Sequence, residues 1–337
     1  MSKTMKMVKK LGLWALMGLA GSVSYASTST KVGESLEDFI QRMVKTHQMD
    51  EKELTPLLTK TKVRQDIIDL MNKPAESLPW HRYRPIWIKD KRIKAGIEFW
   101  NKYQTELLRA EKTYQVPASI IVGILGVETY YGRIQGKIPV IEALVTLGFH
   151  YPKRAKFFRK ELEEFLLLCK EQNWSPLTPK GSYAGAMGMG QFISSSYRNY
   201  AVDFDGDGKV NLFDSPVDAI GSVANYFKQH KWRWGQPVAY RVTGEGKNPE
   251  KWAAEKLKPM FTAGKLYEEG YKWPVSVVAD ASASLYPFEQ EKNKDYWIGF
   301  NNFYVITRYN RSALYALAVY QFSQEVIAAR ARSYVHG

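Results

Sequence analysis

The stretch Val116-Pro-Ala-Ser-Ile-Ile-Val-Gly-Ile-Leu-Gly-Val-Glu-Thr-Tyr-Tyr-Gly-Arg133 decides the reading of this 337-residue chain. Pro117 stands where a helix would begin, because its missing N–H costs nothing in a first turn. The residues after it are almost wholly apolar. Ile120, Ile124 and Glu128 are four apart and share one helical face, so a carboxyl group sits at the end of an apolar stripe. Gly132 supplies a stop. Apolar surroundings and the negative end of the helix dipole both favour the protonated carboxyl. A Glu that keeps its proton near neutral pH can donate it to the leaving oxygen of a glycosidic bond. The alternative is a structural Glu128 paired with Arg133 or a backbone amide.

About fifty residues on comes Gly181-Ser-Tyr-Ala-Gly-Ala-Met-Gly-Met-Gly-Gln-Phe192. Four glycines in ten residues suit neither a helix nor a strand. They predict a tight wall where a ligand approaches backbone, or else a glycine-rich turn. Ser182 and Gln191 can hydrogen-bond sugar amides and hydroxyls.

Helical periodicity runs on both sides of these motifs: about 35–75, including an amphipathic Glu34–Met43; Arg92–Tyr114; Lys153–Gln172; and a closing helix over Ser312–Arg332. Pro74 and Pro79 mark a break. Pro237–Thr243 and Pro274–Val278 alternate like short strands, with turn signals at Gly244, Gly246 and Gly264. The chain reads as mainly α (α+β), with a small β-rich insertion near 235–300.

The run Gly126-Val-Glu-Thr-Tyr-Tyr-Gly-Arg133, followed by Ala184-Gly-Ala-Met-Gly-Met-Gly-Gln-Phe192, resembles the membrane-bound lytic transglycosylase B family in its soluble form. Arg82-Tyr-Arg-Pro-Ile-Trp87, Phe149-His-Tyr-Pro-Lys-Arg154, Asp218–Phe227 and Ile306–Ser312 continue the likeness in order over nearly all of the chain after residue 26. The resemblance implies a goose-type-lysozyme-like core. It implies Glu128 as sole general acid/base, cutting the β-1,4 bond between N-acetylmuramic acid and N-acetylglucosamine. The muramic 6-hydroxyl then closes a 1,6-anhydro ring, and the N-acetyl group assists. This differs from the two-carboxylate glycosidase scheme. By motif match, Ser182 and Gln191 contact saccharide, and Tyr83, Tyr226, Tyr309, Asn310 and Tyr315 line the cleft. Lys153 and Arg154 meet the carboxylates of lactyl or peptide groups. The family often has Arg where this chain has Lys153, which loses bidentate binding.

Asp203-Phe-Asp-Gly-Asp-Gly-Lys-Val-Asn-Leu-Phe-Asp214 fits an EF-hand loop. Asp203, Asp205 and Asp207 hold positions 1, 3 and 5, Gly208 makes the turn, and Lys209 offers only its carbonyl. Asp214 stands where Glu is usual; the resemblance points instead to Asp218 as last ligand. A structural Ca²⁺, or Na⁺, is expected, and no organic cofactor.

The N-terminus reads as a signal peptide. Lys3, Lys6, Lys9 and Lys10 precede the uncharged run Leu11–Ser22, and Ser24-Tyr-Ala26 suits cleavage. No Cys stands near that point, so a lipid anchor is excluded. The run is short for a membrane span. Location is expected to be periplasmic, with no stable membrane anchor in the mature form. The net charge of +14 falls to +10 without the four signal lysines, which suits an anionic cell-wall polymer. Nucleic acid does not fit an exported chain. Peptidoglycan glycan strands are the expected partner, cell-wall synthases a further candidate, and a monomer the expected state. The lone Cys169 permits no intrachain disulfide and reads as a buried small hydrophobe. Five scattered histidines give no zinc spacing. The expected division is signal peptide 1–26, N-terminal helical region 27–78, core 79–234, β-rich domain 235–300 and C-terminal segment 301–337. A hydrolytic muramidase and a non-catalytic peptidoglycan-binding or scaffold protein are the rival readings.

Overall fold

The computed structural model describes residues 33–72, 78–244, 246–254 and 257–335. The signal-peptide reading of residues 1–26 lies outside them. Two compact units emerge, each from two chain segments: Met1–Pro74 with Ile134–Asn199, and Ala75–Arg133 with Tyr200–Gly337. The interval 79–234 therefore gives residues to both. In chain order the helices are α1 (Leu36–His47), α2 (Glu51–Thr59), α3 (Gln65–Met71), α4 (Trp80–Trp87), α5 (Asp90–Lys102), α6 (Gln104–Tyr114), α7 (Ala118–Thr129), α8 (Val140–His150), α9 (Ala155–Glu171), α10 (Ser194–Tyr200), α11 (Pro216–Gln229), α12 (Pro249–Trp252), α13 (Ala263–Glu268), α14 (Asn301–Tyr309) and α15 (Ala313–Val335). The described residues are thus predominantly helical, as the periodicity predicts. None of their helices is long and apolar enough to cross a membrane.

In the first unit α8 packs on α9 and α3 on α8, while α1 packs on α2. Ser35 caps α1 and exchanges bonds with Asp38 in a capping box. Arg42 of α1 meets Glu34 at 2.6 Å and Glu163 of α9 at 2.7 Å, tying the first helix to α9. Cys169 is buried there, and burial pushes its thiol up to about 12, so it behaves as a small apolar group. A short antiparallel pair, β1 (Ile138–Pro139) with β2 (Lys180–Gly181), opens the glycine-rich loop.

The second unit is built around α7. All twelve of its residues are buried, consistent with a helix that is apolar all round. It packs against α15, α5, α6 and α11. Gly123 and Gly126 let α15 approach closely. A Cβ at Gly123 would sit 3.2 Å from the Val319 carbonyl, and one at Gly126 would collide with the Phe322 ring and the Tyr131 hydroxyl. The same unit carries an antiparallel sheet of β3 (Ala239–Arg241), β6 (Lys294–Phe300), β5 (Ser282–Glu289) and β4 (Phe261–Thr262), in that order. Its separate core joins Trp252, Leu266, Tyr271, Leu285, Ile298 and Phe300.

Three local expectations change. Arg92–Tyr114 is two helices, because Tyr103 takes a non-helical φ of −114° and ψ of 32° and serves both as C-cap and as N-cap. Pro274–Val278 is not a strand. Val275 and Val278 stand exposed without ladder partners, and pairing goes instead to β5 and β6. The stop of α7 comes before Gly132: Tyr130 and Tyr131 already take left-handed φ of 54° and 59°.

Overpacking at the α7–α15 contact gives a direct check. Gly126→Ala is expected to destabilise the protein by about 1–3 kcal/mol. The urea midpoint should fall with an unchanged slope; an unchanged midpoint would mean the helices can part at no cost.

Candidate active site

Glu128 is only 7% exposed, at the penultimate position of α7. The Tyr315 hydroxyl, from the first turn of α15, donates to its Oε1. Burial holds the Tyr315 and Tyr309 hydroxyls well above the usual phenol range, and the Glu128 charge pushes the same way. Both phenols therefore stay protonated. Tyr226 of α11 meets Tyr309 edge-on at 4.8 Å and stacks on His230 at 4.0 Å, and its hydroxyl donates to the Arg308 carbonyl at 2.6 Å. Asn310 is 3% exposed, and its Oδ1 has no hydrogen-bond partner among the described residues. Tyr83 lies wholly buried between Trp80 and Trp87, with ring centroids 6.2 and 6.0 Å away. Its hydroxyl adds a small upward push to the Tyr315 pKa. Tyr315 thus contacts Glu128, Tyr309 lies close enough to feel its charge, Tyr226 packs on Tyr309, and Asn310 follows Tyr309 in the chain.

The helix end carrying Glu128 needs partners for its last carbonyls. Tyr130 N–H donates to the Gly126 carbonyl and Tyr131 N–H to that of Leu125, at 3.2 and 3.0 Å. Arg92 of α5 adds a cation, donating to the Gly126 carbonyl at 2.5 Å. Its guanidinium lies over the rings of Trp87 and Tyr130, at 5.3 and 5.1 Å. Burial lowers its pKa, and no carboxylate pairs with it among the described residues. It therefore answers the negative end of the α7 dipole directly. Sequence reasoning missed Arg92, since no spacing rule links it to a carbonyl 34 residues later. Arg133, the alternative partner for Glu128, pairs at 3.7 Å with Glu98 instead.

In the first unit Ser182 and Gln191 sit at the two ends of the glycine-rich loop, 5% and 3% exposed. Ser182 Oγ accepts from the N–H of Ala184 and of Ala186, at 3.3 and 3.1 Å. Gln191, at a left-handed φ of 51°, gives its amide NH₂ to the carbonyls of Gln135 and Gly188. The Ser182 hydroxyl hydrogen and the Gln191 amide oxygen carry their remaining bonding capacity. The loop itself explains one glycine: a Cβ at Gly181 would collide with the Ala186 carbonyl. Lys153 is exposed at the short 3₁₀ turn Pro152–Arg154. Arg154 lies over Phe157 at 4.2 Å. Glu161, a buried carboxyl of this unit, is held by the N–H and hydroxyl of Ser195 at 2.9 and 2.8 Å.

The acidic loop belongs to the second unit. Asp203, Asp205 and Asp218 bring carboxylate oxygens within 4.8 Å of one another. Asp203 also accepts from Gly206 and Gly208 N–H, at 2.7 and 2.8 Å, where both glycines take positive φ. Asp218, buried at the start of α11, accepts from Phe204 and Asn211 N–H at 2.8 Å each. Burial raises its pKa. Asp207 accepts from Lys209 N–H, and Asp214 lies outside the carboxylate group, its N–H bound to Asn211. Three hard anionic oxygens at this spacing repel one another and suit a hard cation.

Comparison with known proteins fits this arrangement. Residues 31–324 match the family described as Transglycosylase SLT domain. The chain is 43% identical over 304 residues to Membrane-bound lytic murein transglycosylase B of Escherichia coli (strain K12), covering 87% of this chain and 83% of that one. Among solved structures, the catenated lytic transglycosylase SltB1 of Pseudomonas aeruginosa superposes with a TM-score of 0.83 at 47% identity, covering 90% of this chain and 99% of that one. The E. coli lytic transglycosylase Slt35 in complex with calcium gives 0.80 at 44%, covering 88% and 93%. SltB3 of P. aeruginosa, in complex with NAG-anhNAM-pentapeptide, gives 0.74 at 27%, covering 86% and 79%. The chain therefore belongs to the transglycosylase SLT domain family, as a lytic murein transglycosylase with a mainly helical, lysozyme-like fold.

Proposed function

We propose that Glu128 is the single general acid/base with which this enzyme cuts the MurNAc-β-1,4-GlcNAc bond. The protonated carboxyl gives its proton to the leaving oxygen. The resulting carboxylate takes the proton of the muramic 6-hydroxyl, which closes the 1,6-anhydro ring. The observation that carries this reading is one carboxyl, almost wholly buried at the end of an apolar helix, that receives a phenol O–H bond. Burial favours its acid form, and the Tyr315 bond stabilises the carboxylate left after proton transfer. The two effects act in opposite directions on the proton, as suits a residue that is first acid and then base. The anhydro-muramic ligand of SltB3 supports the same product class.

We read Tyr226, Tyr309 and Asn310 as saccharide contacts near Glu128, and Tyr83 as the support behind Tyr315. Ser182 and Gln191 also serve as saccharide contacts, with Lys153 and Arg154 meeting lactyl or peptide carboxylates. Asp203, Asp205 and Asp218 would hold a structural Ca²⁺, with Asp207 and the Lys209 carbonyl completing its shell and Asp214 the rival last ligand. The ion would supply charge neutralisation in a loop that otherwise packs three carboxylates together. Calcium in the related Slt35 supports this. Residues 1–26 as a signal peptide would deliver the enzyme to the periplasm, where its polymer lies.

Mass spectrometry of sacculi digested by wild type and by Glu128→Gln tests the acid/base. Wild type should leave 1,6-anhydro ends, and the variant should lose about 10²–10⁴-fold in rate. Reducing muramic ends would indicate a hydrolytic muramidase, and full activity of the variant would remove Glu128 from the chemistry.

Tyr315→Phe tests the opposing bond. Losing a donor to the carboxylate raises the Glu128 pKa, so the acid form survives to higher pH. The alkaline limb of the rate profile should move up by about one unit. An unmoved limb would show that the phenol does not set the proton's hold.

Calcium should raise the melting temperature, with a stabilisation of about 2.7 kcal/mol at a hundredfold excess over Kd. Asp203→Asn should abolish that gain. A melting temperature indifferent to Ca²⁺ and to chelator would leave the loop metal-free.

A further inference from the structure

We infer that the second unit carries an additional binding site for a neutral N-acetylated saccharide, in the cavity of about 540 Å³ between α4, α15 and one face of β3 and β6. None of the residues gathered around Glu128 lines it. The choice of a glycan as ligand rests on the polysaccharide substrate proposed above.

The lining follows from regular periodicities. Trp80 and Arg84 are four apart on α4, and Tyr320 and Gln324 are four apart on α15, so each pair projects from one helical face. Arg241 pairs in register with Trp297, and Asp295 lies two residues from Trp297, so all three share one face of the sheet. Two helix faces and one sheet face thus converge on a single space.

Its polar groups are held in place before any ligand arrives. Arg84 donates to Gln321 at 2.7 Å and meets Glu325 at 3.3 Å. Arg241 donates to Asp295 at 2.8 Å, and Asp295 also accepts from Gln290 at 2.9 Å. Two arginines face two carboxylates, so the charges cancel. A phosphate or a free peptide carboxylate would find each guanidinium already matched and a carboxylate beside it. A ring of hydroxyls and an acetamide can bond to these fixed donors and acceptors without bringing charge.

The half-buried rings of Trp297 and Tyr320 supply faces for the apolar side of a sugar. Burial, and then Tyr240, push the Tyr320 hydroxyl up to about 12, so it remains a donor near neutral pH. Such a site would grip a glycan strand away from the bond being cut.

The test uses the whole chain and tri-N-acetylchitotriose as probe. The Trp297 indole N–H signal is identified in NMR spectra by its absence from Trp297→Ala. In wild type it should shift and saturate. Gln324 is exposed, so Gln324→Lys leaves packing intact while placing charge and bulk in the cavity. There the same signal should need at least about tenfold more saccharide. A Trp297 signal that does not move in wild type, or that moves identically in Gln324→Lys, would overturn the site. So would saturation by inorganic phosphate at equal concentration. The Glu128 reading is separated by Glu128→Gln, which should lose anhydro-product release yet keep the Trp297 shift.

Discussion

The second unit depends on burying one helix that has no polar face. Helix α7 contributes Ile, Val and Leu side chains on all sides, each stabilising by roughly 1.5–3 kcal/mol when fully removed from water. The condition is that neighbours cover the whole circumference. Two glycines admit α15 along one side, and α5, α6 and α11 take the others. The helix must also end inside the protein, where water cannot satisfy its carbonyls. Two left-handed tyrosines turn the chain, and Arg92 bonds the exposed carbonyl. Glu128 is fixed by the same arrangement, because any shift of the last turn would move its carboxyl.

Position and chemistry are therefore linked. The first turn of α15 presents the Tyr315 hydroxyl to Glu128, while later residues of α15 press on Gly123 and Gly126. One helix sets both the depth of the carboxyl and its hydrogen bond. Tyr226 packs edge-on against Tyr309, and Asn310, next in the chain, keeps a buried acceptor oxygen with no partner among the described residues.

Much of this was legible in the sequence because it is local. Four-residue spacing put Glu128 at the end of an apolar stripe, Pro117 marked the start of α7, and alternating aspartates marked the acidic loop. What the sequence hid was non-local or backbone-driven. Arg92 serves a helix 34 residues away, and nothing in its own neighbourhood shows it. Tyr103 interrupts a helix without any breaker residue, and Pro274–Val278 alternates like a strand but finds no ladder partner. The glycine-rich run is open to two readings in the sequence, a ligand wall or a turn, and only the fold shows that Gly181 is required by the loop's own carbonyl at Ala186. Tyr83 was expected along a cleft and is wholly buried, a distinction that motif matching cannot make.

The interleaving of the chain has a consequence for biosynthesis. Helix α7 ends at residue 129 and its partner α15 begins at residue 313. At about 5–20 residues per second, the most apolar segment waits roughly ten to forty seconds for the surface that covers it. During that interval it is the nascent chain's stickiest element. The order of synthesis thus favours late, all-at-once closure of the second unit, and C-terminal truncation would leave α7 as a ready substrate for chaperones and quality-control proteases.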